Sequence, residues 1–307
     1  MPPSRAALSE RVPAYQVRRA PRYETLRVRG LDIHLTRWGP APSGTDPPVF
    51  LLHGWQDTGA TFQFMVDEFQ GDWPLVALDW RGFGRSEWPR EGYWFQDYIA
   101  DLDALLDQLS PGKPARLVGH SMGGNVASLY AGVRSDRVRC VVNLEGIGLP
   151  RSSPVDAAAQ LRKWLDQIKS EPVPKDYDSI EQLTAVIQFR YPRFTTAQAA
   201  FVAAAWSTAD SGGVRLAGDP RHQWVNAARY NREDAEACWR QVTAPVLMLL
   251  GDESGYMERL GPDGSDAAFR SVIPHIQLAH IAGAGHMLHI EKADCIAQLV
   301  ENFLSAH

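Results

Sequence analysis

Long apolar runs are missing from this sequence: no stretch approaches the roughly 20 residues needed to span a bilayer. The N-terminal 21 residues carry Arg5, Arg11, Arg18 and Arg19 and no apolar run, so they do not read as a signal peptide. Dense Lys/Arg runs are also missing. A net charge of -5 and a pI near 6.0 leave no electrostatic footprint for nucleic acid. Cysteine is scarce. Cys140, Cys238 and Cys295 are odd in number, far apart and without CxxC spacing, which argues against a disulfide framework or a zinc site. The nine histidines contain no HExxH or comparable ligand cluster, so no metal is expected. These absences predict a soluble, cytoplasmic protein with no nucleic-acid partner and no membrane partner. Cys140 and Cys295 lie in apolar segments and read as buried free thiols.

What is present is ordinary globular composition, 45% hydrophobic and 22% charged over 307 residues, enough for one large domain or a core with an insertion. Residues 1–21 read as a loose arm. Two β-like stretches, Tyr23–Arg29 and Asp32–Trp38, flank a short turn and read as a hairpin. From residue 48 short apolar runs alternate with helical periodicity: 48–52, 60–69, 74–79, 95–109, 115–118, 122–133 and 138–144. Strands alternating with helices imply a parallel sheet covered on both faces. The alternation stops near Leu149 and resumes at 245–250 and 275–281, ending on an apolar-periodic helix at 293–304. Between them, residues 150–240 read as helices (157–169, 179–190, 196–207, 232–240) without a clear strand. The expectation is an α/β core over 22–149 and 241–307, with a helical cap at 150–240 over the C-terminal edge of the sheet, where open α/β sheets place ligands.

Three loops at that edge carry chemistry. Gly119-His120-Ser121-Met122-Gly123 follows an apolar run and opens a helix. A nucleophilic serine needs such a sharp strand-to-helix turn, and the flanking glycines remove side chains that would clash there. The helix N-terminus then offers the Met122 N–H to a developing oxyanion. His53-Gly54-Trp55 follows the strand at 49–52. Gly54 permits close approach of the backbone, and the Trp55 N–H is the expected second oxyanion donor. His53 reads as ordering that loop. Gly283-Ala284-Gly285-His286 follows the last strand, and His286 is placed to be the general base, with an unperturbed pKa of about 6.5. His289 reads as packing.

Over nearly its whole length the chain resembles the α/β-hydrolase superfamily. The matching stretches are Leu52–Asp57, Ala77–Ser86, Val118–Gly124 and Ala284–His289. The HGWQD start, Tyr98–Asp101 and Asn143–Gly146 resemble the serine hydrolase-like group within it. The resemblance implies ester hydrolysis through an acyl-enzyme, with no metal or organic cofactor and a small-molecule ester as partner. Haloalkane dehalogenases and epoxide hydrolases fit less well, because they attack with a carboxylate where this chain has Ser121. Lactone opening, carbon–carbon hydrolysis and perhydrolysis share the apparatus, and a non-catalytic binding protein of this fold is the remaining alternative.

The triad acid departs from the usual pattern. Many members place an Asp about three residues after the glycine that ends the penultimate strand. Here that position holds Ser254. Glu145, at the end of the preceding core strand, is the favoured acid, and Asp252 is the alternative. In the insertion, Trp164, Trp206, Trp224 and Trp239 are candidates for an apolar pocket, the first three as substrate contacts.

Overall fold

The structure, a computed structural model, describes residues 14–42, 47–210 and 213–307. Its strands are β1 (Arg22–Val28), β2 (Leu31–Trp38), β3 (Val49–Leu52), β4 (Leu75–Leu78), β5 (Ala115–His120), β6 (Val138–Leu144), β7 (Asp176–Tyr177), β8 (Ser207–Asp210), β9 (Gly213–Leu216), β10 (Val246–Gly251) and β11 (Ile276–Ile281). The helices are α1 (Gln63–Glu68), α2 (Phe95–Leu109), α3 (Met122–Val133), α4 (Ala157–Gln167), α5 (Ile180–Arg190), α6 (Thr196–Ala205), α7 (Arg232–Trp239), α8 (Tyr256–Leu260), α9 (Asp266–Val272), α10 (Leu288–Glu291) and α11 (Ala293–Ala306).

Eight strands form one sheet in the order β1-β2-β4-β3-β5-β6-β10-β11. The β1–β2 and β2–β4 pairs are antiparallel and the rest are parallel. Successive side chains of a strand point to opposite faces, so a strand covered twice must be apolar at every position. β3 does this: Phe50 and Leu52 join the core under α2, α3, α7 and α9, while Val49 and Leu51 join the core under α1 and α11. Every residue of β3, β5 and β10 is buried. This is the sheet covered by helices on both faces that the strand–helix alternation predicts.

Three expectations change. Residues 150–240 contain a small three-stranded sheet, β7-β9-β8, besides their helices. Its strands have two to four residues, too short for an alternating pattern to register. α7 packs against α3, and its Trp239 is buried in the core under the sheet rather than in the cap. Cys295 is exposed, because it falls on the solvent side of α11, whose buried stripe is Ile296, Ala297, Val300, Phe303 and Leu304. Part of the arm is also tied down. The Tyr15 hydroxyl donates to Asp67 at 3.0 Å, and the Arg18 and Arg19 amides donate to the same carboxylate. Residues 1–13 lie outside the described residues.

Candidate active site

β5 ends at His120 and α3 begins at Met122, so Ser121 alone makes the turn, at φ 51° and ψ -116°. A non-glycine residue in that region is strained, and such strain persists only where the surroundings over-determine it. Here they do: a Cβ on Gly123 would lie 2.1 Å from the Leu52 carbonyl oxygen, so only glycine lets α3 start this close to β3. The Ser121 N–H donates to the Leu144 carbonyl at 2.8 Å, which fixes the turn to the end of β6. Gly54 makes the third close approach. A Cβ there would meet the Ser121 Cβ at 3.1 Å, so the His53–Trp55 loop lies directly over the serine.

The ends of β5, β6, β10 and β11 are neighbours in the sheet, and their loops converge. Glu145 follows β6 at φ 54°. Its Oε2 lies 2.8 Å from His286 Nδ1, and its Oε1 accepts the Gly251 N–H at 2.6 Å. His286 is held from two further sides: its ring stacks on Tyr256 with centroids 4.1 Å apart, and its carbonyl accepts from His120 Nε2 at 2.8 Å. With Nδ1 facing the carboxylate, Nε2 is the nitrogen left for a proton from elsewhere. Burial is the largest influence on both groups. It pushes Glu145 up to about 7, against the Gly251 N–H and the Ser254 hydroxyl, which favour its charged form. It holds His286 down at about 4, so the imidazole is neutral near pH 7 and able to accept a proton.

Asp252 is placed differently. It is exposed, and its Oδ1 accepts the Gly283 N–H at 2.8 Å, so it braces the histidine loop by its backbone and not the imidazole. Ser254, where the resemblance implies an acid, is turned to Glu145 instead, and also accepts the Tyr256 N–H at 3.1 Å. Nothing in the sequence points to His120 or Tyr256, while Ser254 stands out there only as a departure from Asp.

His53 has the ordering role expected of it. Its Nε2 accepts the Trp80 N–H at 2.8 Å, so Nδ1 carries the proton and donates to the Gly54 carbonyl at 2.7 Å. His289 is fully buried, packed on Phe62 and His120. Asp57, His120 and His289 bring candidate ligand atoms within 4.8 Å of one another. His289 Nε2 lies 4.0 Å from the Asp57 carboxylate, too far for a hydrogen bond. The Asp57 oxygens are already taken by the Trp206 indole N–H, the Thr61 hydroxyl and the Thr58 N–H. This cluster therefore reads as packing with a buried acid.

That acid has a consequence for stability. Burial pushes Asp57 up to about 7. A carboxyl whose folded pKa is raised binds protons better folded than unfolded, so its contribution is present below about pH 4 and is lost as pH rises through about 7. Asp57→Asn should flatten that part of the stability profile, read by urea unfolding at pH 5 and pH 8. An unchanged slope would mean that Asp57 is ionised throughout.

A cavity of about 380 Å³ opens between residues 150–240 and the strand-end loops of the sheet. Ser121, Met122, Trp55 and Glu145 line it from below, with Tyr93, Phe95 and Tyr98 beside them and Trp164 and Trp224 above. Trp206 is not part of it. Its indole N–H donates to Asp57 at 2.7 Å, which turns the ring toward the loop after β3 and ties the end of α6 to it. Arg221 lines the cavity, but its guanidinium is taken up by Asp219 and the carbonyls of Pro89 and Arg90.

Comparison with known proteins matches residues 47–293 to the family described as the alpha/beta hydrolase fold. A serine hydrolase-like protein of Danio rerio is 26% identical over 275 residues, covering 87% of this chain and 83% of that protein. The 2-(acetamidomethylene)succinate hydrolase of Mesorhizobium japonicum is 25% identical over 278 residues, covering 91% and 95%. Among solved structures, a thioesterase domain from the curacin biosynthetic pathway superposes with a TM-score of 0.79 at 24% identity, covering 92% of this chain and 99% of that one.

Proposed function

This chain belongs to the α/β-hydrolase fold family, and from that premise we propose that it is a serine hydrolase cleaving a carboxylic ester through an acyl-enzyme. The observation that carries the proposal is the placing of Ser121, on its strained turn, at the same sheet edge as a Glu145–His286 pair that follows β6 and β11, with an aromatic cavity above Ser121 and Glu145. In this reading the Ser121 oxygen attacks the ester carbonyl while His286 Nε2 takes its proton. The imidazolium so formed is stabilised by the carboxylate 2.8 Å from Nδ1. The Trp55 and Met122 N–H groups receive the oxyanion. His286 returns the proton to the leaving alcohol, then draws one from the water that attacks the acyl carbon, and passes it to the Ser121 oxygen as the acid leaves.

The cavity favours a neutral substrate over a dicarboxylate. Its lining is mostly aromatic and aliphatic, and its one guanidinium is committed to Asp219 and two carbonyls. An unpaired carboxylate entering it would lose its water without gaining a cation. The test is a substrate panel: neutral esters, lactones, and carbon–carbon substrates bearing carboxylates, compared by kcat/KM. Neutral esters should lead by at least about a hundredfold, roughly the cost of leaving a buried charge unpaired. Preference for a charged carbon–carbon substrate would overturn the ester reading.

Substrate choice should reside in the cap. Trp164→Ala or Trp224→Ala should shift the ranking of acyl chain lengths, since each removes an aromatic wall of the cavity. Trp206→Ala should leave the ranking in place. If Trp206 alone moves it, the acyl pocket lies elsewhere.

A further inference from the structure

The cap carries a surface that the proposed chemistry does not use. No residue of α4 is buried. Leu161, Leu165 and Ile168 recur at helical spacing, so they form one stripe. They are 44%, 48% and 41% exposed. The adjoining edge of the helix, one residue earlier at each turn, is the one that is fastened. Gln160 donates to the Asn226 carbonyl, Gln167 accepts the Val225 N–H at 2.8 Å, and Trp164 meets Trp94 with ring centroids 6.5 Å apart. These tethers fix the helix and leave the stripe beside them exposed.

That stripe is continuous with the cavity. Ile168 belongs to both, being exposed and part of the cavity lining. Leu149, Trp55 and Trp94 likewise line the cavity and remain exposed around it. Two cations flank the stripe: Arg162 and Lys169 follow Leu161 and Ile168 in sequence, whereas Lys163 lies on the far side of the helix. Asp166 is the helix's own acid, and Lys169 pairs with it at 3.1 Å.

We infer that α4 and the apolar rim of the cavity seat the protein on an anionic lipid surface, from which an amphiphilic ester enters the cavity. This rests on reading the cavity as the substrate site. A water-soluble substrate has no use for an apolar path running outward from the site. A folded protein partner would not need its contact to merge with the cavity lining. A lipid-borne ester needs both, because its chain can then pass from bilayer to cavity without crossing water. An apolar stripe with basic side chains beside it is also how an amphipathic helix lies in a headgroup layer, its cations reaching anionic headgroups. A surface contact of this kind is distinct from a span: among the described residues no helix is long and apolar enough to cross a membrane. It replaces the expectation of no membrane partner, which rested on the missing span.

The experiment is flotation of the full chain with vesicles of phosphatidylcholine containing about one-fifth phosphatidylglycerol. The wild type should float with the vesicles. Leu161→Glu/Leu165→Glu should lower its partition coefficient at least about tenfold, with a thermal transition that certifies folding. Arg162→Gln/Lys169→Gln should lower it by less, and that difference should vanish at high salt. A wild type that stays in solution overturns the inference, as does a leucine double variant that floats equally well. If the wild type stays in solution and dimerises through these leucines, as shown by sedimentation velocity of both proteins, the occupant is a second copy and the inference is wrong. Flotation requires no turnover. A protein that floats but cleaves no ester keeps the docking surface and loses the ester reading; one that cleaves soluble esters but does not float does the reverse.

Discussion

Ser121→Ala removes all rapid labelling by a fluorophosphonate probe and lowers kcat on an activated ester by on the order of 10⁶, the loss known for a serine nucleophile in a protease triad. The expectation follows from the backbone. Ser121 sits at φ 51°, and the Gly54 loop lies over it, so its hydroxyl has been placed at a cost that no packing role explains. Alanine keeps the Cβ and hence the strain, so the variant should fold and unfold like the wild type. A change in activity is then chemical. Peptide mapping of the labelled protein should return the Ser121 peptide alone. Persistent labelling of Ser121→Ala would place the nucleophile elsewhere, and unlabelled wild type with no ester turnover would leave a binding protein of this fold.

The core was legible because its signals are local. Val49–Leu52 and Val246–Leu250 are apolar at every position, which only a doubly covered strand requires, and Gly119-x-Ser121-x-Gly123 joins such a strand to a helix. The cap was legible only as helices, since β7, β8 and β9 are too short to show a period and α7 declares its partner, α3, only in three dimensions. Tryptophan at helical spacing marked burial without saying where. Trp164 and Trp224 reach the cavity, Trp239 the core and Trp206 a carboxylate, and no spacing distinguishes these. His120 and Ser254 act through groups 166 and 109 residues away in sequence, and contacts that distant leave no pattern in a single chain.

The sequence offers two candidates for the acid, and the structure sets them apart: Glu145 meets His286, whereas Asp252 meets the Gly283 N–H. Glu145→Gln should lower kcat by about 10⁴, as removal of the triad carboxylate's charge does in the comparable protease. Glutamine can keep the shape and still accept the Gly251 N–H with its oxygen. Its amide nitrogen then faces His286 Nδ1, 2.8 Å away in the wild type, and donates where the carboxylate accepted. That forces the imidazole proton onto Nε2, the nitrogen that must be bare to take a proton from Ser121. The variant also loses the charge that stabilises the imidazolium in a site where burial disfavours it. Asp252→Asn should cost no more than about threefold, because the side chain is exposed and its remaining carbonyl oxygen can still accept the Gly283 N–H. Ser254→Ala falls between them, removing one hydrogen bond that favours ionised Glu145, and should move the acidic limb of the kcat/KM profile to higher pH. All three are measured on one activated ester after matching their unfolding midpoints to the wild type. A crippled Asp252→Asn beside a nearly normal Glu145→Gln would move the acid to the end of β10 and reduce Glu145 to a support for the Gly251 turn.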